Sequence, residues 1–247
     1  MGLFDKKFCS ICGDKIGLLG NRKLEDGNCC KSCAAKLSPW FSERRHSTVE
    51  DIKGQLAYRE ANKAAVAAFH TTRTLGNNTK LLLDEDAKKF MVTSARDLAA
   101  ANPDVLSYGD VTGCTLDIDE SRDELKRKEN DGKEVSYVPP RYTYEYDFNV
   151  VINVNNPYFD EIRFRLNSSS IASQMVLGSA APNMSGNVEY QECKKMGEEI
   201  RDTLLQVRQD MRDSAAPKVA KRCPACGAST VGDANGCCEY CGSALTP

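Results

Sequence analysis

The chain has 247 residues, 41% of them hydrophobic and 28% charged, and its Lys+Arg 33 against Asp+Glu 35 leave a formal net charge of −2. This composition belongs to a folded globular chain and excludes disordered or collagen-like classes. The near balance of charge excludes a global field that would steer the whole molecule to nucleic acid or to an anionic membrane.

The twelve cysteines are the unusual count, and ten of them fall in two terminal clusters: Cys9, Cys12, Cys29, Cys30 and Cys33, then Cys223, Cys226, Cys237, Cys238 and Cys241. A disulfide scaffold would spread its cysteines over the body that it staples. Here the body carries only Cys114 and Cys193, which points to metal-stapled ends on a thiol-poor centre. Residues Met1 to Phe8 contain no apolar run of signal-peptide length, and Lys6 stands where a myristoylation motif starting at Gly2 would need Ser or Thr. No stretch of the chain is long and apolar enough to span a membrane. Unpaired thiols without an export signal fit a reducing cytoplasm, and there zinc outranks disulfides as the reading of paired cysteines.

In chain order, Cys9-Ser-Ile-Cys12-Gly13 is a knuckle whose two-residue gap lets both thiolates face one ion. Asp26-Gly27 is a hairpin turn signal. Cys30-Lys-Ser-Cys33, followed by good helix formers, supplies a second pair at a helix start. Knuckle, hairpin and helix give the layout of a treble-clef-like zinc module in which Cys9, Cys12, Cys30 and Cys33 close a tetrahedral site. Cys29 breaks the CxxC gap and is the spare.

Ser47-Thr-Val-Glu50 reads as a capping box, opening a helix from Thr48 to about Phe69 that ends before Asn77-Asn78. Lys80–Leu83 and Lys89–Thr93, joined at Asp84-Glu-Asp86, read as a hairpin. Asn102-Pro103-Asp104 reads as a turn. Val111–Ile118 and Tyr142–Asn155 read as longer strands, with the charged run Glu120–Lys133 between them as a solvated hairpin tip. Tyr142, Tyr144, Tyr146, Phe148, Val150, Ile152 and Val154 share one face of their strand. Their polar neighbours are acidic rather than basic, so the stripe is core and not a base-stacking platform. Ile162, Phe164 and Leu166 continue the pattern, and Ser168–Gly186 reads as a loop. From Val188 to about Met211 a stripe of Cys193, Met196, Ile200, Leu204, Val207 and Met211 marks an amphipathic helix. Its spacing suits the core, and also a second copy of the chain. The predicted class is α+β: a mostly β, pleckstrin-homology-like central domain with flanking helices and two small zinc modules at the termini.

Cys223-Pro-Ala-Cys226-Gly227 and Cys238-Glu-Tyr-Cys241-Gly242 are two further knuckles, the signature of a small zinc ribbon. Its four ligands would be Cys223, Cys226, Cys238 and Cys241, with Cys237 spare, behind a linker at Pro217 and Lys218–Arg222. The predicted division is a zinc module over 1–46, a connecting helix over 47–73, a β-rich domain over 74–213 and a linker with ribbon over 214–247.

The segments Cys9-x-x-Cys12-Gly13, Lys15-Ile-Gly-Leu-Leu-Gly20, Lys23-Leu24, Asp26-Gly27, Cys30-x-x-Cys33 and Lys36-Leu37-Ser38-Pro39 resemble the N-terminal segment of bacterial proteins classed as domain of unknown function 4428. The resemblance covers roughly the first 50 residues. It implies metal binding through Cys9, Cys12, Cys30 and Cys33 and implies no activity.

No motif for a hydrolase, a nucleotide-binding loop or a metalloprotease is present. His46 and His70 bracket the first helix without a spaced partner. The expectation is therefore a non-enzymatic, zinc-binding interaction or scaffold protein of the bacterial cytoplasm. It would hold two structural zinc ions and dock protein partners through the β domain and the ribbon, with peripheral membrane association and self-association left open. One alternative is nucleic-acid binding through Arg22, Lys23, Lys31, Lys36, Arg44 and Arg45, which the charge balance disfavours. A second is an enzyme working through Cys114 or through Asp117, Asp119 and Glu120.

Overall fold

A computed structural model describes residues 7–178, 180–215, 220–233 and 236–245. The chain divides into two compact units, residues 1–208 and 209–247. It is 27% helix and 34% strand, an α+β protein.

The first unit opens with a two-stranded hairpin, β1 (Asn21–Lys23) and β2 (Asn28–Cys30), followed by the single-turn helix α1 (Lys31–Ala34). A 3-10 turn (Glu43–His46) leads to the long helix α2 (Val49–Ala68). The capping box lies one residue beyond the expected one. The Thr48 hydroxyl accepts from Asp51 N, and the Asp51 carboxylate accepts from Thr48 N at 2.9 Å. Ser47 is diverted, its hydroxyl donating to the Glu43 carbonyl at 2.9 Å. Helix α2 ends at Ala68, next to the expected end at about Phe69, and strand β3 (Arg73–Gly76), which the sequence pattern does not show, fills part of the stretch before Asn77-Asn78.

Strands β3, β4 (Lys80–Asp84), β5 (Lys89–Thr93) and β6 (Leu106–Ser107) form an antiparallel meander, with the short helix α3 (Leu98–Ala101) before the last. A second antiparallel sheet is built on β7 (Val111–Lys128) and β8 (Glu134–Val154), with β9 (Glu161–Arg165) on the other side of β8. The charged run Glu120–Lys128, expected in a hairpin tip, is instead the outer half of β7, and only the turn after it is a tip. Within the expected loop 168–186, β10 (Ile171–Ala172) and β11 (Val176–Leu177) add to β8. Helix α4 starts at Val188 and runs to Ala215. Four strands, then a second sheet, then a closing helix make up the central part of the first unit.

The stripe on β8 is the core of that second sheet. Tyr144, Tyr146, Phe148, Val150, Ile152 and Val154 are buried, together with Ile162, Phe164 and Leu166. Tyr190 of α4 meets the Tyr146 and Phe148 rings edge-on, with centroids at 5.1 and 4.9 Å. Edge-to-face rings at that separation are the favoured aromatic geometry. Cys193, Ile200 and Leu204 of the helix are buried with them.

A buried polar network ties the N-terminal segment to this body. Arg59 of α2 lies 2.8 Å from the Asp104 carboxylate, and the two side chains are 8% and 0% exposed. The second Asp104 oxygen accepts from the Ser38 hydroxyl at 2.7 Å. Asn62 donates to Asn102 and to the Pro103 carbonyl and accepts from Val105 N, while Asn102 donates to the Arg59 carbonyl. Removing one partner of such a pair strands the other charge out of water. Asp104→Ala is therefore expected to destabilise the first unit by about 3–5 kcal/mol in denaturant unfolding, and an unchanged midpoint would refute the network's importance.

Candidate metal centres

Each terminal cluster gathers four thiols. The sulfurs of Cys9, Cys12, Cys30 and Cys33 all lie within 4.8 Å of one another, and so do those of Cys223, Cys226, Cys238 and Cys241. Individual separations are 3.8 Å for Cys12–Cys30, 3.5 Å for Cys223–Cys241 and 3.7 Å for Cys226–Cys238. A disulfide would require about 2.05 Å. A tetrahedron of sulfurs about 2.3 Å from a central zinc has edges of about 3.8 Å. The spacing is that of thiolates arranged around an ion, and four soft ligands in that geometry suit zinc or iron. Both clusters could hold a metal ion.

Local backbone chemistry explains how the sequence builds them. In all three knuckles the first cysteine donates its amide to the carbonyl five residues on: Cys9 to Asp14, Cys223 to Ala228 and Cys238 to Ser243, each at 2.8 Å. The glycine four residues on then returns its amide to that cysteine's carbonyl, at 2.8–2.9 Å. Gly13, Gly227 and Gly242 take φ of 81°, 75° and 72°, the left-handed region where a side chain is strained. The fourth pair is built differently. Cys30 is the N-cap of α1, and its sulfur accepts from Cys33 N at 3.3 Å, while Cys9 sulfur accepts from Cys30 N at 3.3 Å. Such N–H···S bonds stabilise a thiolate. Burial pushes the Cys9 thiol up, but the amides of Cys12, Cys30 and Ile11 outweigh it and bring it to about 6. At the other end Ser243 brings Cys241 to about 6.

Gly27 shows how tightly the first site is packed. A Cβ there would stand 2.7 Å from both Ser10 Oγ and Val49 Cγ2. The neighbouring Asp26 carboxylate accepts from Val49 N at 2.7 Å, joining the β1–β2 turn to the start of α2. Cys29 sits in the module core with Leu24, Leu37 and Ile52, and burial pushes its thiol up to about 11. Cys237 lies outside the second tetrad, in a bridge with Ala244. Beside the first tetrad a cavity of about 450 Å³ is lined by Cys12, Cys33, Lys36, Leu56, Arg59 and Lys63, among others.

The residues weighed for catalysis are placed otherwise. Cys114 is buried, and burial pushes its thiol up to about 12, so it is a packing thiol. Asp117 and Asp119 do have a basic companion, which the sequence pattern does not reveal: Arg163 of β9 lies 2.7 and 3.2 Å from them, reaching across β8. The strand register brings Arg163 to the same face and level with Thr115, one pleat from Asp117, because Val151 faces both Thr115 and Arg163 across its two neighbours. The linker read at Pro217–Arg222 lies, through Val219, outside the described residues, as do Met1 to Lys6. No helix among the described residues is long and apolar enough to cross a membrane.

The family model described as Domain of unknown function (DUF4428) matches residues 7–55, the segment that contains the first tetrad and the start of α2. Comparison with curated proteins and with solved structures gives no match.

The two neighbouring cysteines separate the functions of metal and core. Cys30→Ser is expected to lose the metal of the first site, whereas Cys29→Val keeps it, as read by metal content of the purified variants. Because protons compete with the metal for the thiolates, occupancy of both sites is expected to fall as pH falls. An occupancy that rises on acidification would contradict thiolate ligation.

Proposed function

We propose that the protein is a non-enzymatic, zinc-stapled scaffold of the bacterial cytoplasm. Cys9, Cys12, Cys30 and Cys33 hold one zinc ion, and Cys223, Cys226, Cys238 and Cys241 hold another. The observation that carries this reading is the pair of thiol tetrads with tetrahedral edge lengths at opposite ends of the sequence. Four protein thiolates fill the coordination shell and leave no position for substrate or water, so each ion is structural. The burial of Cys114 and the engagement of Asp117 and Asp119 by Arg163 support a body without a reactive centre.

In this reading residues 1–46 form a treble-clef-like module, 47–73 a connecting helix, 74–213 the β-rich domain with its closing helix, and 214–247 the linker and ribbon. The ribbon and the β domain dock protein partners. The thiol-rich ends support a reducing compartment.

Metal analysis of the purified chain is expected to give about two Zn per chain, one for each four-thiolate site; one or none would remove at least one site. An affinity capture from the native host with the full chain, compared with a chain lacking 214–247, is expected to lose a subset of bound proteins. Identical sets would remove the ribbon as a docking element.

A further inference from the structure

The first module carries a feature that its metal site does not need. Gly17-Leu-Leu-Gly20 is a tight turn closed by the Gly20 amide donating to the Gly17 carbonyl at 3.0 Å. Its two central residues are Leu18 and Leu19, 91% and 87% exposed. Turn centres are ordinarily Pro, Asn, Asp or Gly, chosen for backbone geometry and water. Two leucines there break the local rule without any packing return, the mark of a functional position. The adjoining Ile16 is buried in the module core, so the turn stands on a fixed base. Arg22 reinforces it, donating to the Leu19 and Asn21 carbonyls, each at 3.3 Å. Phe8, 56% exposed, pairs with Lys15 at the root of the turn, and Ile16 donates to the Lys7 carbonyl.

Charge in the segment that carries this apolar tip is one-sided, up to Glu25 and Asp26 in the next turn, although the whole chain is nearly neutral. Between Lys7 and Lys23 stand four basic residues, Lys7, Lys15, Arg22 and Lys23, and one acidic residue, Asp14, which the Cys12 thiol contacts at 3.4 Å. Lys7, Lys15 and Lys23 are exposed and form no ion pair among the described residues. A short apolar tip in a basic collar complements a surface that is apolar beneath and anionic above, which is the interface of an anionic bilayer.

We propose that the Gly17–Gly20 turn is a membrane-contact prong. Leu18 and Leu19 enter the headgroup–acyl boundary of an anionic phospholipid bilayer, and the basic collar lies against its phosphates. The inference depends on the fold of the N-terminal module and not on the scaffold reading: two bound metal ions with no vesicle binding would refute the prong alone.

The test is co-flotation of the full, metal-loaded chain with vesicles of equal parts phosphatidylcholine and phosphatidylglycerol, and with phosphatidylcholine alone. Binding is expected to the anionic vesicles, weaker at high salt and weaker on the neutral ones. The double variant Leu18→Ser/Leu19→Ser is expected to bind at least about tenfold more weakly, the order that withdrawing an exposed leucine from water is worth. Lys15→Glu/Lys23→Glu is expected to weaken binding to the anionic vesicles only. Metal content and melting temperature should stay unchanged, since all four side chains are exposed, so a loss of binding cannot be a loss of fold. No binding to anionic vesicles at low salt would overturn the proposal, as would equal binding by the leucine variant. Loss of a captured protein in the leucine variant, with no vesicle binding by the natural chain, would assign the prong to a protein groove instead.

Discussion

The position of the N-terminal module on the rest of the first unit depends on one carboxylate. Asp104, wholly buried, takes Arg59 of α2 on one oxygen and Ser38 of the module on the other. Three segments far apart in sequence meet there, and Asn62 and Asn102 interlock the same helix with the same loop. A buried ion pair repays its desolvation only when geometry and extra hydrogen bonds are good, and apolar replacements can match its stability. What it supplies here is register. An apolar contact between α2 and the 102–105 loop would tolerate sliding; a carboxylate that must meet two donors tolerates only one arrangement.

The two metal centres reach the same tetrad from different amounts of protein. The first is surrounded by Ile16, Leu24, Cys29, Leu37 and Ile52, an apolar cluster that borrows a residue from α2. The second unit, among its described residues, buries little beyond Cys223, Cys238 and Thr230. A fold with so small a core would draw its stability from an ion held by its four thiols. The first module would share the load between an ion and its core, so metal binding would bear on stability more at the C-terminal end than at the N-terminal one. The knuckle explains why both exist: its two backbone hydrogen bonds and left-handed glycine are local, so the same five residues assemble a ligand pair wherever they occur.

Local and periodic features are legible in the sequence, and contacts between distant segments are not. The eight cysteines at CxxC spacing are the eight that gather, because the two-residue gap brings both sulfurs to one side, in a knuckle for three pairs and at a helix start for Cys30 and Cys33. The Tyr142–Val154 stripe reads as core because strand alternation is a one-dimensional signal, and six of its seven residues are buried. The capping box slips by one residue because Ser47-x-x-Glu50 and Thr48-x-x-Asp51 both satisfy the pattern; the Glu43 carbonyl takes the Ser47 hydroxyl and the Asp26 carboxylate takes Val49 N, contacts that a local pattern does not show. Asp104 reads as a turn residue, since nothing near it in sequence announces that Arg59 will be buried beside it. Arg163 escapes a sequence reading for the same reason: its partners lie two strands away.

The β7–β8 hairpin shows why a charged run is poor evidence for a loop. Beyond Asp119 the side chains of β7 are almost all charged, and a strand with no apolar face ordinarily has nothing to hold it. Its partner supplies the missing surface. The Arg122 guanidinium lies over the Tyr142 ring at 4.7 Å, and Arg141 lies over Tyr137 at 4.1 Å. A guanidinium on an aromatic face withdraws apolar area from water and keeps its charge solvated at the edge. The first contact crosses from β7 to β8 and the second lies within β8, so along the outer arm stacked arginines and tyrosines take the place that Phe148, Val150 and Ile152 hold along the inner one. The polar face of the inner arm is held in turn by Arg163 on Asp117 and Asp119, and by Arg165 on Asp147. The hairpin changes its means of cohesion part-way along its length, from burial to stacking, and continues as one strand pair past the point where its hydrophobic pattern stops.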